Sequence, residues 1–166
     1  SMAGVITGET LTALQLLNLM MVPSGNDASL VLAEYIGGLE TGETGKAAVD
    51  RFVQMMNEKA AVLDLADTHF ANPHGLHEED HYTTASDLYQ ITKAALNQPY
   101  FSDITNQTYY TLPPTNKSST SRTVYTTNKM IAAETAENQY HYRYARGIKT
   151  GSHDQAGYCL VSSAVY

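Results

Sequence analysis

The chain has 166 residues, 43% of them apolar, and carries 10 Lys and Arg against 17 Asp and Glu, for a formal net charge of −7. That length suits about one domain with one core, and the acidic balance with scattered cations excludes a nucleic-acid-binding face, which needs clustered Lys and Arg. No apolar run approaches the roughly 18 residues of a bilayer span, no leader or anchor is visible, and Ser1-Met2-Ala3 reads as a cloning remnant ahead of a cut chain.

In chain order, Thr10 predicts the cap of a helix running to Met21, with Leu11, Leu14, Leu17 and Met20 inward, until Pro23 stops it. The polar turn Ser24-Gly25-Asn26 follows, and Asp27 reads as the cap of a second helix that Gly37-Gly38 is expected to end. From Thr44 a long amphipathic helix turns Val49, Phe52, Val53, Met56, Ala60 and Leu63 toward the core. Residues 67–82 read as a loop, with Asn72-Pro73 and His74-Gly75 in it. Thr84 or Ser86 caps another helix, with Leu88, Ile91, Thr92 and Ala95 inward, ending near Asn97-Gln98-Pro99.

The periodicity then changes. Residues 108–112 and 122–125 are short β-rich runs separated by Pro113-Pro114 and a Ser/Thr-rich turn, which predicts an edge hairpin. Residues 157–166 are the clearest strand, and residues 147–151 lead into its partner. The single domain expected over 1–166, with 1–3 outside the natural chain, therefore has a mainly helical lobe at 10–107 and a strand-rich part at 108–166. Its class is α+β, the helix-rich lobe packed on part of an antiparallel sheet. The only cysteine, Cys159, excludes an intrachain disulfide; placed between Tyr158 and Leu160, it reads as a buried structural thiol.

Two short constellations can carry chemistry. Ser24-Gly25-Asn26 presents a hydroxyl and a carboxamide from a corner between helices. Lys149-Thr150-Gly151 combines an ammonium, a hydroxyl donor and a residue without a Cβ, a compact anion site that a substrate backbone can approach. Each alone is a common turn. Together they correspond to the second and third of the motifs Ser-x-x-Lys, Ser-x-Asn and Lys-Thr-Gly found in penicillin-binding proteins and serine β-lactamases.

The stretches Val22-Pro23-Ser24-Gly25-Asn26-Asp27-Ala28, Thr68-His69-Phe70-Ala71-Asn72-Pro73-His74-Gly75-Leu76, Gly147-Ile148-Lys149-Thr150-Gly151 and Gln155-Ala156-Gly157-Tyr158-Cys159-Leu160-Val161 stand in one order along nearly the whole chain. In them the sequence resembles the D-alanyl-D-alanine carboxypeptidases, the low-molecular-weight penicillin-binding proteins of peptidase family S11. The resemblance implies a penicillin-binding-protein transpeptidase fold, truncated at both ends. It implies an extracytoplasmic bacterial enzyme, secreted or associated with the cell envelope. Such an enzyme removes the terminal D-alanine of peptidoglycan stem pentapeptides through an acyl-enzyme, binds β-lactams, and uses no metal or cofactor. By the same resemblance Ser24 belongs to the proton network, Asn26 contacts the substrate amide, and Lys149 supplies electrostatics and proton relay. Thr150 takes the terminal carboxylate, Gly151 admits the substrate backbone, the Ser152 N–H forms the oxyanion hole, and His74 and Gly75 sit at the rim.

One departure stands against these matches. The only serine before Ser24 is Ser1, and three residues on is Gly4, so no Ser-x-x-Lys nucleophile precedes the corner. The chain alone is therefore expected to be inert. Strands missing from such a sheet are expected to leave apolar edges open to self-association.

Rival readings come from other classes. His77-Glu78-Glu79-Asp80-His81 spells the metalloprotease motif, whose mechanism needs both imidazoles one helical turn apart; Pro73 and Gly75 before it and the acidic residues within it oppose a helix. A non-catalytic module binding cell-wall peptide or protein fits the same boundaries. His69 reads as a loop or core histidine, and the stretch 140–144, rich in tyrosine, as an exposed strand or loop. A β-lactamase is disfavoured because no deacylating glutamate can be placed.

Overall fold

A computed structural model describes all residues, Ser1–Tyr166. The chain forms two compact units: Ser1–Ser29 with Ser102–Tyr166, and Leu30–Phe101. The division differs from the compositional boundary at 107/108, because the first unit takes both ends of the chain.

In the first unit, α1 (Ala13–Met21) starts later than expected. Thr12, not Thr10, caps it: the Gln15 N–H donates to Thr12 Oγ1 at 3.2 Å and the Thr12 N–H to Gln15 Oε1 at 2.7 Å, a reciprocal capping box. Its inner face is Leu16 and Leu19, continued by Val22, whereas Leu14 is 46% exposed. The expected stripe stepped by three from Leu11, which precedes the helix. A strict three-residue step drifts off a face that recurs every 3.6 residues, and a run so rich in Leu and Met offers few polar residues to correct it.

Strands β1 (Tyr109–Leu112) and β2 (Arg122–Tyr125) form an antiparallel hairpin, with Leu112 opposite Arg122. Leu112 is 1% exposed. Asn18 of α1 accepts a hydrogen bond from Gln107 at 2.7 Å just before β1. The N-terminal segment is tied to the same hairpin through Glu9, whose carboxylate, closed from solvent, meets Arg122 at 2.5 Å and the Thr115 hydroxyl at 2.5 Å. Burial draws the Glu9 pKa up, but hydrogen bonds from Arg122, Thr115 and the Ile6 N–H outweigh it and hold it below the ordinary glutamate value. Such a group contributes stability above its unfolded pKa and loses it as pH falls through the folded value. Arg122→Ala is therefore expected to cost about 1.5–3 kcal/mol at pH 7 in urea unfolding, a deficit that narrows on acidification; an equal deficit at every pH would contradict the pairing.

Strands β3 (Lys149–His153) and β4 (Gly157–Val161) make a second two-stranded antiparallel sheet, with Lys149 opposite Val161 and His153 opposite Gly157. A three-residue connection, 154–156, leads into Gly157, the first residue of β4, whose φ of 66° lies in the left-handed region that such a hairpin uses. The strand ends at Val161 instead of running to residue 166. Cys159 is exposed, not buried. The first four residues of β4 are all exposed, Tyr158 at 97%, so alternation gives Cys159 no covered face on either side.

The remainder of α2 (Asn26–Thr41) lies in the second unit with α3 (Gly45–Val62) and α4 (Ala85–Leu96). Contrary to expectation, α2 runs through Gly37-Gly38. A Cβ on Gly37 would lie 1.9 Å from the Ala48 carbonyl oxygen of α3, so these glycines permit close helix packing where a C-terminal stop was expected. Ala48 and Ala60 of α3 are buried, and the Arg51 guanidinium meets Glu40 at 2.7 Å and Glu58 at 2.7 Å. Thr84 caps α4, accepting the Asp87 N–H at 3.1 Å. The short helix α5 (Phe101–Thr105), which no sequence signal announced, follows. No helix is long and apolar enough to cross a membrane.

Candidate active site

The polar corner after α1 is held in an unusual backbone state. Ser24 has φ 62°, the left-handed region that costs an L-residue about 1–2 kcal/mol and that gathers at functional sites when the surroundings enforce it. Here the Gly25 N–H donates back to Leu19 O at 3.2 Å and the Ser29 N–H to Gly25 O at 3.2 Å. A Cβ on Gly25 would come within 2.6 Å of both Leu19 O and the Ala3 methyl, so this position accepts no side chain. The Asn26 N–H donates to Ser1 O at 2.9 Å. The Asp27 carboxylate takes the N–H groups of Ala3 at 2.7 Å and Val5 at 2.9 Å. Burial pulls the Asp27 pKa up, yet these donors, with those of Ala28 and Gly4, keep it below the usual carboxylate range. Ser1 and Ala3 are thus hydrogen-bonded at the corner.

Lys149 opens β3 and reaches that corner. Its Nζ donates to Ser24 Oγ at 2.5 Å and to the Thr150 carbonyl at 2.8 Å. Burial lowers its pKa to about 8, so at neutral pH it remains an ammonium, close to the point where it yields its proton. With Ser24 Oγ accepting from Lys149, the Ser24 hydrogen is left to donate elsewhere.

The approach to β3 is braced at Gly147, whose φ is 71° and whose added Cβ would stand 3.0 Å from Thr105 Oγ1. Its carbonyl accepts from Asn128 Nδ2 at 2.9 Å and from Ser162 Oγ at 3.1 Å. Thr150 Oγ1 lies 2.5 Å from Thr127 Oγ1. Sequence reading passed over Thr127 and Asn128. Their run of Thr and Asn is a turn signal like many others, and nothing local to it announces Lys149.

The first unit therefore brings Ser24, Lys149 and Thr150 together, with Asn26 two residues from Ser24. Gly151 and Ser152 are exposed on β3, opposite Cys159 and Tyr158. A Cβ on Gly151 would meet only Cys159 Cβ at 3.7 Å, so the protein leaves open the space before it. His74 and Gly75 belong to the second unit. There Asn72 Oδ1 accepts the His74 N–H at 3.2 Å and the Gly75 N–H at 2.7 Å, and burial lowers the His74 pKa while Glu78 opposes the shift.

The segment 77–81 is a turn in which the His81 N–H donates to Glu78 O at 3.1 Å. His81 Nδ1 accepts the Ala71 N–H at 3.1 Å. The helix that the metalloprotease motif requires is not formed. His69 is a loop residue, its Nδ1 2.6 Å from Asp80 O.

Residues 2–166 match the peptidase S11 family, described as D-alanyl-D-alanine carboxypeptidase. The D-alanyl-D-alanine carboxypeptidase of Streptomyces sp. strain K15 is 34% identical over 99% of this chain and 54% of its own length. DacF of Bacillus subtilis strain 168 is 36% identical over 95% of this chain and 36% of its own. The chain thus spans about a third to a half of the curated relatives it matches. Among solved structures, the Streptomyces K15 DD-transpeptidase superposes with a TM-score of 0.88 at 34% identity, covering 100% of this chain and 60% of that one. The D-alanyl-D-alanine carboxypeptidase of Mycobacterium tuberculosis H37Rv gives 0.74 at 30% identity, over 93% and 51%. At these similarities the fold is that of the corresponding part of the DD-peptidases.

Proposed function

The chain belongs to the D-alanyl-D-alanine carboxypeptidase family, peptidase S11, and we propose that it is the portion of a serine carboxypeptidase that removes the terminal D-alanine from peptidoglycan stem pentapeptides. The observation that supports this most is the 2.5 Å hydrogen bond from Lys149 to Ser24, which joins the two matched motifs across 125 positions of sequence.

In this reading a serine nucleophile attacks the D-Ala-D-Ala carbonyl, the terminal D-alanine leaves as an amine, and water releases the acyl-enzyme. Ser24 and Lys149 form a relay. The ammonium orients and polarises the Ser24 hydroxyl and offsets the developing oxyanion; as the Ser24 hydrogen passes to the leaving nitrogen, Lys149 gives a proton to Ser24 Oγ, and the proton released by the attacking serine recharges the pair. Asn26 holds the substrate amide, Thr150 the terminal carboxylate, Gly151 leaves room for the substrate backbone, and the Ser152 N–H donates to the oxyanion. Penicillins acylate the same serine, and the enzyme acts outside the bacterial cytoplasm, where its substrate lies.

None of these 166 residues forms a Ser-x-x-Lys, so the test uses a polypeptide that carries both that motif and this sequence. Labelled penicillin is expected to form a stable adduct with it, a D-Ala-D-Ala peptide to release D-alanine, and this chain alone to stay unlabelled. Asn26→Ala is expected to slow D-alanine release about tenfold, the worth of one hydrogen bond made in the transition state. Glu78→Ala, on an exposed turn, should stay within about twofold. Peptide binding without adduct or release would favour a non-catalytic module instead.

A further inference from the structure

We propose that Thr127 is a positioning residue for the anion-binding side of this site, acting through the hydroxyl of Thr150. The proposal deepens, and rests on, the reading that Thr150 meets the substrate carboxylate.

The two hydroxyl oxygens lie 2.5 Å apart. At that separation one hydrogen is shared along the contact, one hydroxyl donating and the other accepting, so the pair keeps a single O–H for any third group. When Thr127 donates, the free hydrogen is that of Thr150, and its donor strength rises because its oxygen already accepts. A carboxylate accepts and never donates, so its arrival at Thr150 selects this arrangement. Without the Thr127 hydroxyl, Thr150 has neither the polarising donor nor the contact that fixes its rotor.

The turn that carries Thr127 is fastened near both motifs. The Thr127 N–H donates to Val22 O at 3.3 Å, two residues before Ser24. Asn128, 3% exposed, donates to Gly147 O at 2.9 Å, two residues before Lys149, and accepts the Met130 N–H at 3.0 Å. Thr127 thus presents its hydroxyl from a backbone braced against both the corner and the approach to β3, and it belongs to neither motif.

Thr127 is itself exposed, so isosteric replacement leaves the core untouched. The experiment compares Thr127→Val, Thr127→Ser and Thr150→Val with the parent, in the polypeptide bearing the nucleophile. The probes are a labelled penicillin with its free carboxylate and the methyl ester of the same compound. Thr127→Val is expected to weaken acylation by the carboxylate form about 5–10-fold, chiefly in the concentration dependence and little in the limiting rate. The ester and the unfolding midpoint should be unaffected, and Thr127→Ser should recover the parent's preference. If Thr150→Val lowers the carboxylate form selectively while Thr127→Val does not, or if Thr127→Val lowers both forms alike, the assignment of Thr127 is overturned. If Thr150→Val treats both forms alike, the reading of Thr150 itself falls, and this inference with it.

Discussion

Lys149→Ala, in a polypeptide that supplies the nucleophile, is expected to lower the rate of acylation by labelled penicillin about 10²–10³-fold, the range for removing a group aimed at developing charge. The variant loses the ammonium that Ser24 accepts from at 2.5 Å, and so loses both the relay and the charge opposite the oxyanion. Lys149 titrates at about 8 because burial disfavours its charged form. Acylation through the ammonium should therefore hold near pH 7 and fall through pH 8, to about a tenth by pH 9 on a single titration. In Lys149→Ala that limb should vanish along with the rate. An acylation rate within a few-fold of the parent, or an alkaline limb that survives the substitution, would remove Lys149 from the mechanism.

The same burial has a stability consequence of opposite sign. A lysine whose folded pKa lies below its unfolded value penalises the folded state while it is charged, fully below about 8, and the penalty is relieved as pH rises toward the unfolded value near 10.5. Lys149→Met should then raise the urea midpoint at pH 7, with a gain that shrinks across that window. A side chain that weakens the fold and carries the rate is the pattern of a site kept for function.

How far this could be read from the sequence depended on the range of the interaction that decides each feature. The α4 cap is local, a hydroxyl three residues from the N–H it binds, and it was legible as one of two candidates, Thr84 or Ser86, of which Thr84 is the cap. The hairpin of β1 and β2 was legible, since β-rich residues mark its strands and paired prolines their separation, although it stands as a two-stranded sheet of its own and not at the edge of a larger one. Ser24 and Lys149 stand 125 positions apart, and only their membership of known motifs joined them; no periodicity carries that information. Thr127 shows the same limit without a motif to lift it. Cys159 was misread because an apolar run signals burial only if something covers it, and β4 exposes both faces. Gly37-Gly38 was misread because a glycine pair serves equally to end a helix or to let another approach, and the neighbour that decides between the two lies eleven residues on, at Ala48.

Gly37→Ala separates those two uses of glycine. If helix propensity alone mattered, alanine would stabilise the interior of α2 by about 1 kcal/mol. The new Cβ, however, would lie 1.9 Å from Ala48 O, 2.8 Å from Ala48 C and 3.1 Å from Phe52 N. All three are backbone atoms of α3, so no rotamer change relieves the overlap and the helices must part. Overpacking of this kind costs about 3 kcal/mol, leaving a net loss of about 2 kcal/mol after the propensity gain, or about 4–8 °C in the melting midpoint for a chain of this size. Because the obstacle is a carbonyl, adding Ala48→Gly should not restore the midpoint, whereas relief of a side-chain clash would. A midpoint raised by Gly37→Ala, or recovered in the double variant, would show that α2 and α3 are not in backbone contact at Gly37. Should the single variant prove too unstable to purify, Gly38→Ala gives a second measure. Its Cβ would meet Glu43 O at 2.6 Å, in the more yielding loop before α3, and the expected loss is smaller than at Gly37.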